Sequence, residues 1–396
     1  MAISVYAVSS PIARPEMLEF GSFFKSIEQH LGQAFNPVSI DEFVSLDFGL
    51  IYVATGGSES GFLEEYDALT RKPAYILTSG NSNSLAASME ILSYLKENGK
   101  DGEILHGEPE VIAERITVLS KANKAKKSLS GIRAGLVGKQ SDWLIASNYD
   151  KDAIKNKLGM ELVDISMEEF MAEIAVAAFP SNEWTEKLLS MGYNNDEVRK
   201  SLNIYGALRR LADKYQLGAM SVRCFDLLTT VISTGCLGLA ILNAEGIHAG
   251  CEGDVPSLLS MCIMGEISGK PVFMCNPSRI DLAKGEMVLA HCTLPVNMPY
   301  DMCLTTHYES DIGVAIAGNI KEGPCTVFKT TGDLSRYFAM TGNLIANLRE
   351  ATLCRTQIRV ELPDYSYFLK NPINNHHLVC TGDETAAIDE FFALLP

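Results

Sequence analysis

Ahead of residue 283 the chain alternates short apolar runs with amphipathic helical stretches, a rhythm that fits a parallel sheet covered by helices. Ile3 to Val8, Gly49 to Thr55 and Ala74 to Thr78 are the first such runs. Gly56-Gly57-Ser58-Glu59-Ser60-Gly61 follows the second and Ser79-Gly80-Asn81-Ser82-Asn83-Ser84 the third. Both turns fall at the carboxyl ends of strands, where open sheets build their crevice and where backbone N–H groups can hold hydroxyls or phosphate. Neither is a Gly-x-Gly-x-x-Gly fingerprint, and turn glycines beside Ser or Asn helix caps are the plainer reading.

A linker at Lys121 to Ser130 introduces a second run of the same kind, with strands expected at Ile132 to Val137, Glu161 to Ile165 and Ala219 to Arg223. Past residue 283 the texture changes to alternating strands at Glu286 to His291, Gly313 to Ala317, Cys325 to Lys329, Gln357 to Glu361 and His377 to Cys380, which implies antiparallel pairing. The expected fold is α/β, with two Rossmann-like (flavodoxin-like) parallel-sheet domains and a C-terminal antiparallel β-rich domain. The expected boundaries are 1–125 for the N-terminal domain, 126–282 for a central domain carrying Glu252 and Asn276, and 283–396 for the β-rich domain carrying His376. A chain of 396 residues has the length for such a division.

Composition narrows the functional classes. A net charge of −16 disfavours nucleic acid, because phosphate backbones are bound by clustered Lys and Arg. No apolar run approaches the roughly 20 residues of a membrane span. The start, Met1 to Val8, reads as a buried strand and not as a signal peptide, and the ten cysteines are scattered without a C-x-x-C pair. A cytoplasmic protein is expected, with no nucleic-acid or membrane partner.

Chemistry concentrates in the last two fifths. Glu252, in Gly250-Cys251-Glu252-Gly253-Asp254, precedes an apolar helix at Ser257 to Met264. The next strand, Pro271 to Cys275, ends at Asn276, and in a parallel sheet both tips emerge into one crevice. For Glu252 alone, a carboxylate favouring a helix N-terminus is an equal reading. His376 and His377 open a strand, so their side chains point to opposite faces: one can reach a site while the other packs. His291 and His307 are further candidates, though each read singly is more often structural. Arg223 and Arg355 can hold an anionic ligand bidentately or serve as internal ion pairs in an acidic chain. There is no Gly-x-Ser-x-Gly elbow, phosphate loop or His-Glu-x-x-His helix. A carboxylate, an amide and several imidazoles suit a hard or borderline divalent ion such as Mn²⁺.

Taken in order, Cys251-Glu252-Gly253-Asp254, Phe273-Met274-Cys275-Asn276, Leu289-Ala290-His291-Cys292, the stretch His307 to Gly313, Cys354-Arg355-Thr356-Gln357 and Asn375-His376-His377 resemble the motifs of the L-fucose/L-arabinose isomerase superfamily. The resemblance is strong over the last two thirds of the chain and weak before. It implies a metal-dependent aldose-ketose isomerase acting on a monosaccharide or sugar derivative through an enediol, assembled as a homo-oligomer (trimer or hexamer). A metal-dependent epimerase or lyase, or a non-catalytic sugar binder, are the alternatives on that scaffold. The family's Glu, Asp and His ligands to one Mn²⁺ fall on Glu252, Asn276 and His376. Glu252, Asn276 and Asp254 are thereby the expected catalytic residues, and His291, His307, Arg223, Arg355 and His377 the expected substrate-binding ones. The chain departs from the pattern at Asn276, because an amide cannot carry a proton between carbons.

Overall fold

The computed structural model describes residues 2–13 and 21–396. They form two compact units, Met1–Lys127 and Ser128–Pro396. The first holds β1 (Ile3–Val8), β2 (Phe35–Pro37), β3 (Leu50–Val53), β4 (Ala74–Leu77) and β5 (Gly102–Leu105) in a parallel sheet of order β2-β1-β3-β4-β5. All four residues of β3 and of β4 are buried, as expected of strands covered on both faces. Leu50 and Tyr52 join one core cluster and Ile51 and Val53 the other, the alternation a pleated strand imposes. The two glycine-rich turns lean on each other, with the Gly56 N–H donating to the Ser82 carbonyl at 2.7 Å. Neither Ser58 nor Asn83 caps the helix it precedes through its side chain.

The second unit begins with β6 (Arg133–Val137), β7 (Glu161–Ile165), β8 (Ala219–Val222) and β9 (His248–Cys251), parallel in the order β7-β6-β8-β9. It continues with β10 (Phe273–Asp281), β11 (Glu286–His291), β12 (Asp301–Thr305), β13 (Ala315–Asn319), β14 (Gly323–Thr330), β15 (Tyr337–Leu348), β16 (Thr356–Glu361) and β17 (His377–Thr381). Six of these close an antiparallel barrel, β10-β11-β16-β15-β14-β17, while β12 and β13 form a separate antiparallel pair. Closure leaves no free edge in the barrel, which disposes of the exposed N–H and C=O groups an open sheet presents. The α/β fold with two parallel sheets and a C-terminal antiparallel barrel agrees with the class expected from the sequence.

One placement differs. The strand ending at Asn276 does not extend the parallel sheet, for β10 pairs antiparallel with β17 (Cys275↔His377) and with β11 (Asn276↔Ala290). Its Pro277 sits where the register shifts against β11, one of the positions at which a strand tolerates a residue without an N–H. Asn276 therefore faces Glu252 from the barrel. The helix Val255–Ser268, buried along nearly its whole length, contacts β8 and β9 and also β14 and β17, so sheet and barrel share one core.

Candidate metal centre

The site starts from a turn at the end of β9. Glu252 has φ +65° and Gly253 φ +70°, two left-handed residues in succession. For glutamate this costs on the order of 1 kcal/mol, strain that is characteristic of functional turns. Gly253 has no alternative, since a Cβ there would lie 2.6 Å from the Lys139 carbonyl oxygen and 2.7 Å from the Gln140 Cα. The turn is fastened by the Ser141 N–H on the Glu252 carbonyl (2.8 Å) and the Gly253 N–H on the Val222 carbonyl (3.0 Å). It delivers Asp254 as the N-cap of the helix Val255–Ser268, accepting from the Ser257 N–H at 2.9 Å.

Against this turn the barrel presents two imidazoles, His291 from the end of β11 and His376 from just before β17. Glu252 is 6 % exposed, His291 5 % and His376 0 %. One ligand atom from each lies within 4.8 Å of the others. His376 Nε2 is 3.3 Å and His291 Nε2 3.9 Å from Glu252 Oε1, with the rings edge to face and their centroids 5.5 Å apart. Each histidine spends its other nitrogen behind the site: His291 Nδ1 on the Thr293 hydroxyl (2.8 Å), His376 Nδ1 on Asp254 Oδ2 (2.8 Å). Backing of this kind fixes the ring and the nitrogen offered to a metal.

The donor set fits a divalent cation on a specific observation. His376 Nε2 is fully buried and lacks a well-aligned hydrogen bond, its one polar neighbour being Glu252 Oε1 at 3.3 Å. A buried polar atom without a partner is costly unless something binds it. Two imidazole nitrogens and one carboxylate oxygen are an acceptable set for a borderline ion. Burial pushes the Glu252 carboxyl up, but the two imidazoles outweigh it and hold the group well below the usual carboxylate range. His376 is the converse: burial disfavours its cation, yet Asp254 and Glu252 raise it to about 9.

Glu252 and His291 line a cavity of about 40 Å³, room for an ion with a water or two, and His376 stands directly behind them without lining it. Asn276 and His307 line it, as does Glu309, an exposed carboxylate with no hydrogen bond or ion pair among the described residues. An aromatic wall runs from Trp143 to Phe225 (centroids 4.7 Å) and from Phe225 to His307 (5.6 Å). The Trp143 Nε1–H donates to Glu252 Oε2 at 2.6 Å, so that carboxylate is held at both oxygens.

Other residues singled out in the sequence lie elsewhere. Asp254 is sealed behind His376 and does not line the cavity. His377 points to the opposite face of the strand, bonded to the Tyr367 hydroxyl (3.0 Å) and packed among Phe338, Tyr367 and Phe368. Burial lowers it to about 3, so this ring is a neutral core group. Arg223 is engaged by Asp142 (3.0 Å) and Asp226 (3.0 Å) and lines a separate cavity of about 880 Å³ over β6 and β8. Arg355 is bonded to the Thr306 carbonyl (2.8 Å) and Asp311 (3.2 Å). Both arginines are thus ion-paired, in each case with a carboxylate that is itself exposed.

Three residues of the centre were not singled out: Trp143, Glu309 and Lys329. Lys329 is 0 % exposed with its Nζ 3.7 Å from Asp254 Oδ2. Its signal was available, since a lysine inside the buried run of β14 is anomalous. Trp143 and Glu309 gave none, both lying in loops of ordinary polarity.

Comparison with known proteins finds three similar chains. The sulfoquinovose isomerases of Priestia aryabhattai and Priestia megaterium (strain ATCC 12872 / QMB1551) are each 24% identical over 341 residues, covering 81% of this chain and 74% of theirs. The sulfoquinovose isomerase of Clostridium sp. (strain MSTE9) is 24% identical over 259 residues, covering 62% of this chain and 56% of its own. No family model matches.

Proposed function

We propose that this protein is a metal-dependent aldose-ketose isomerase of the L-fucose/L-arabinose isomerase superfamily. The observation that carries the proposal is the convergence of Glu252, His291 and His376, whose ligand atoms lie within 4.8 Å of one another beside a cavity that Glu252 and His291 line. Similarity to sulfoquinovose isomerases over 81% of the chain supports the reaction class. Glu252, His291 and His376 would hold one divalent cation, Mn²⁺ by preference, with Asn276 as a further oxygen donor or a group that orients sugar hydroxyls. Such an ion supplies Lewis acidity to the neighbouring hydroxyl and carbonyl oxygens of an open-chain sugar.

The remaining work falls to the chain. Isomerisation removes a proton from one carbon and returns it to the next, which requires a group that can take and release it. Asn276 cannot, and Asp254 is sealed behind His376. Glu252 is occupied on Oε2 by Trp143, and its Oε1 is the oxygen that would be given to the cation. Glu309, on the cavity wall without a hydrogen bond or ion pair, is the carboxylate free to carry the proton. Trp143 and Phe225 supply an apolar face against which the C–H side of a sugar packs. The ten cysteines, scattered without a C-x-x-C pair, support a reducing, cytoplasmic setting.

The test is conversion of a panel of aldoses by the Mn²⁺-loaded protein in D₂O, followed by NMR. Isomerisation places deuterium at C1 or C2. Glu309→Gln should bind Mn²⁺ as the wild type does and lose conversion by about 100-fold or more, whereas Glu252→Gln should lose both. Metal binding without conversion of any aldose would remove the isomerase assignment and favour a sugar-binding protein.

A further inference from the structure

Lysine is almost never fully buried, because its ammonium loses its hydration unless protein groups replace it. Lys329, on barrel strand β14, is nonetheless 0 % exposed. Its Nζ donates to the Ser257 hydroxyl at 2.5 Å and stands 3.7 Å from Asp254 Oδ2. Asp254 is itself 0 % exposed and accepts from the Ser257 N–H (2.9 Å), the Ser257 hydroxyl (2.7 Å) and His376 Nδ1 (2.8 Å). A continuous chain therefore runs from the barrel lysine through the helix cap to the imidazole whose Nε2 faces Glu252 Oε1 at 3.3 Å.

We propose that Lys329 is a positioning residue for the metal centre: its buried ammonium, seated on Ser257, fixes the Asp254 carboxylate as acceptor for the His376 Nδ1–H and so holds His376 Nε2 toward Glu252 and His291. The inference rests on the reading of Glu252, His291 and His376 as a cation site. Lys329 touches no group of the cavity, so its effect passes entirely through Asp254. The ordinary alternative for a buried lysine is a purely structural ion pair. That alternative predicts lost stability with cation binding unchanged.

The test is calorimetric titration of the full chain with Mn²⁺ alone, comparing wild type, Lys329→Met, Asp254→Asn and the double variant, with folding checked by circular dichroism. Removing partners behind a metal ligand typically weakens affinity by about 10- to 100-fold, and Lys329→Met is expected in that range. In the Asp254→Asn background Lys329→Met should cause no further loss, because the route is already cut. Wild-type affinity in Lys329→Met, or losses that multiply in the double variant, would overturn the proposal. Should Lys329→Met not fold, Ser257→Ala removes the seat of the ammonium together with one hydrogen bond to Asp254 and should weaken Mn²⁺ binding by about threefold or more; unchanged affinity there overturns the proposal equally. A wild type that takes up no Mn²⁺ overturns the cation site and this inference together, whereas a wild type that binds, with variants that bind as well, overturns the role of Lys329 alone.

Discussion

Asp254→Asn should be among the most destabilising single substitutions in the second unit. The change removes one of two opposite charges that are both 0 % exposed and 3.7 Å apart, and leaves Lys329 as a lone buried cation. At an effective dielectric constant of about 20, a pair at that separation is worth about 4 kcal/mol. Breaking a buried pair by removing one partner costs about 3–5 kcal/mol in general, which agrees. The assay is urea unfolding in the presence of a chelator, followed by tryptophan emission. Trp143 and Trp184 are the chain's two tryptophans and both lie in Ser128–Pro396, so the signal reports that unit without contribution from the first. With a urea dependence of about 3 kcal/mol/M, the midpoint should fall by about 1.3 M. Adding Lys329→Met should restore part of the loss, since no unpaired charge then stays buried. A midpoint within about 0.3 M of wild type, or a double variant less stable than Asp254→Asn, would refute the reasoning.

Two further outcomes are expected. Asn276→Asp places a second carboxylate on the cavity beside Glu252 and should tighten Mn²⁺ binding by about tenfold in calorimetry, hard ions preferring carboxylate oxygen; equal or weaker binding would mean that residue 276 does not reach the ion. At the β14–β15 turn, Asp333 accepts from the Thr331 hydroxyl (2.6 Å) and from the Ser335 hydroxyl (2.8 Å) and N–H (3.1 Å), which hold its carboxyl down at about 2. A group depressed in the folded state stabilises fully above its unfolded value of about 3.9 and loses that contribution as pH falls toward about 2. The urea midpoint of wild type should accordingly drop more steeply than that of Asp333→Asn between about pH 4.5 and 3, and parallel profiles would count against the assignment.

The parallel sheets were legible where strands buried on both faces read as continuous apolar runs: Leu50–Val53 and Ala74–Leu77, buried throughout, fall inside the expected segments, while the edge strand β7, with Glu161 and Asp164 exposed, coincides with the expected Glu161 to Ile165. In the barrel, Glu286 to His291 is β11 to the residue. The longest strand, β15, was missed. Its sequence, with Gly342, Asn343 and Asn347 and mostly half-buried residues, shows no sustained alternation, and a register shift at Leu344/Ala346 breaks the period. Closure was also illegible, because which strand pairs with which depends on long-range register and not on local pattern. Gly313 to Ala317 illustrates this: the strand exists as Ala315–Asn319, but it pairs with Asp301–Thr305 outside the barrel.

The centre divides along the same line. Period two alone says that His376 and His377 face opposite ways, but it does not say which faces inward. That is decided when β17 pairs with β10 and with β14, which turns His377 toward Phe338, Tyr367 and Phe368 and leaves His376 facing the turn of β9. His291 gains its meaning in the same way, as a single imidazole whose partner nitrogen comes from a strand remote in sequence. Lys329 differs, because its oddity is local: a charge in the middle of a run whose neighbours are all buried. A buried charge implies a counter-charge somewhere in the fold, and in an acidic chain the candidates are the carboxylates at helix caps and strand ends. Asp254, preceding an apolar helix in which Ser257 supplies a hydroxyl, belongs to that short set. Asking what neutralises Lys329 therefore points from the barrel to the β9 turn, and from there to the histidine that the turn holds in place.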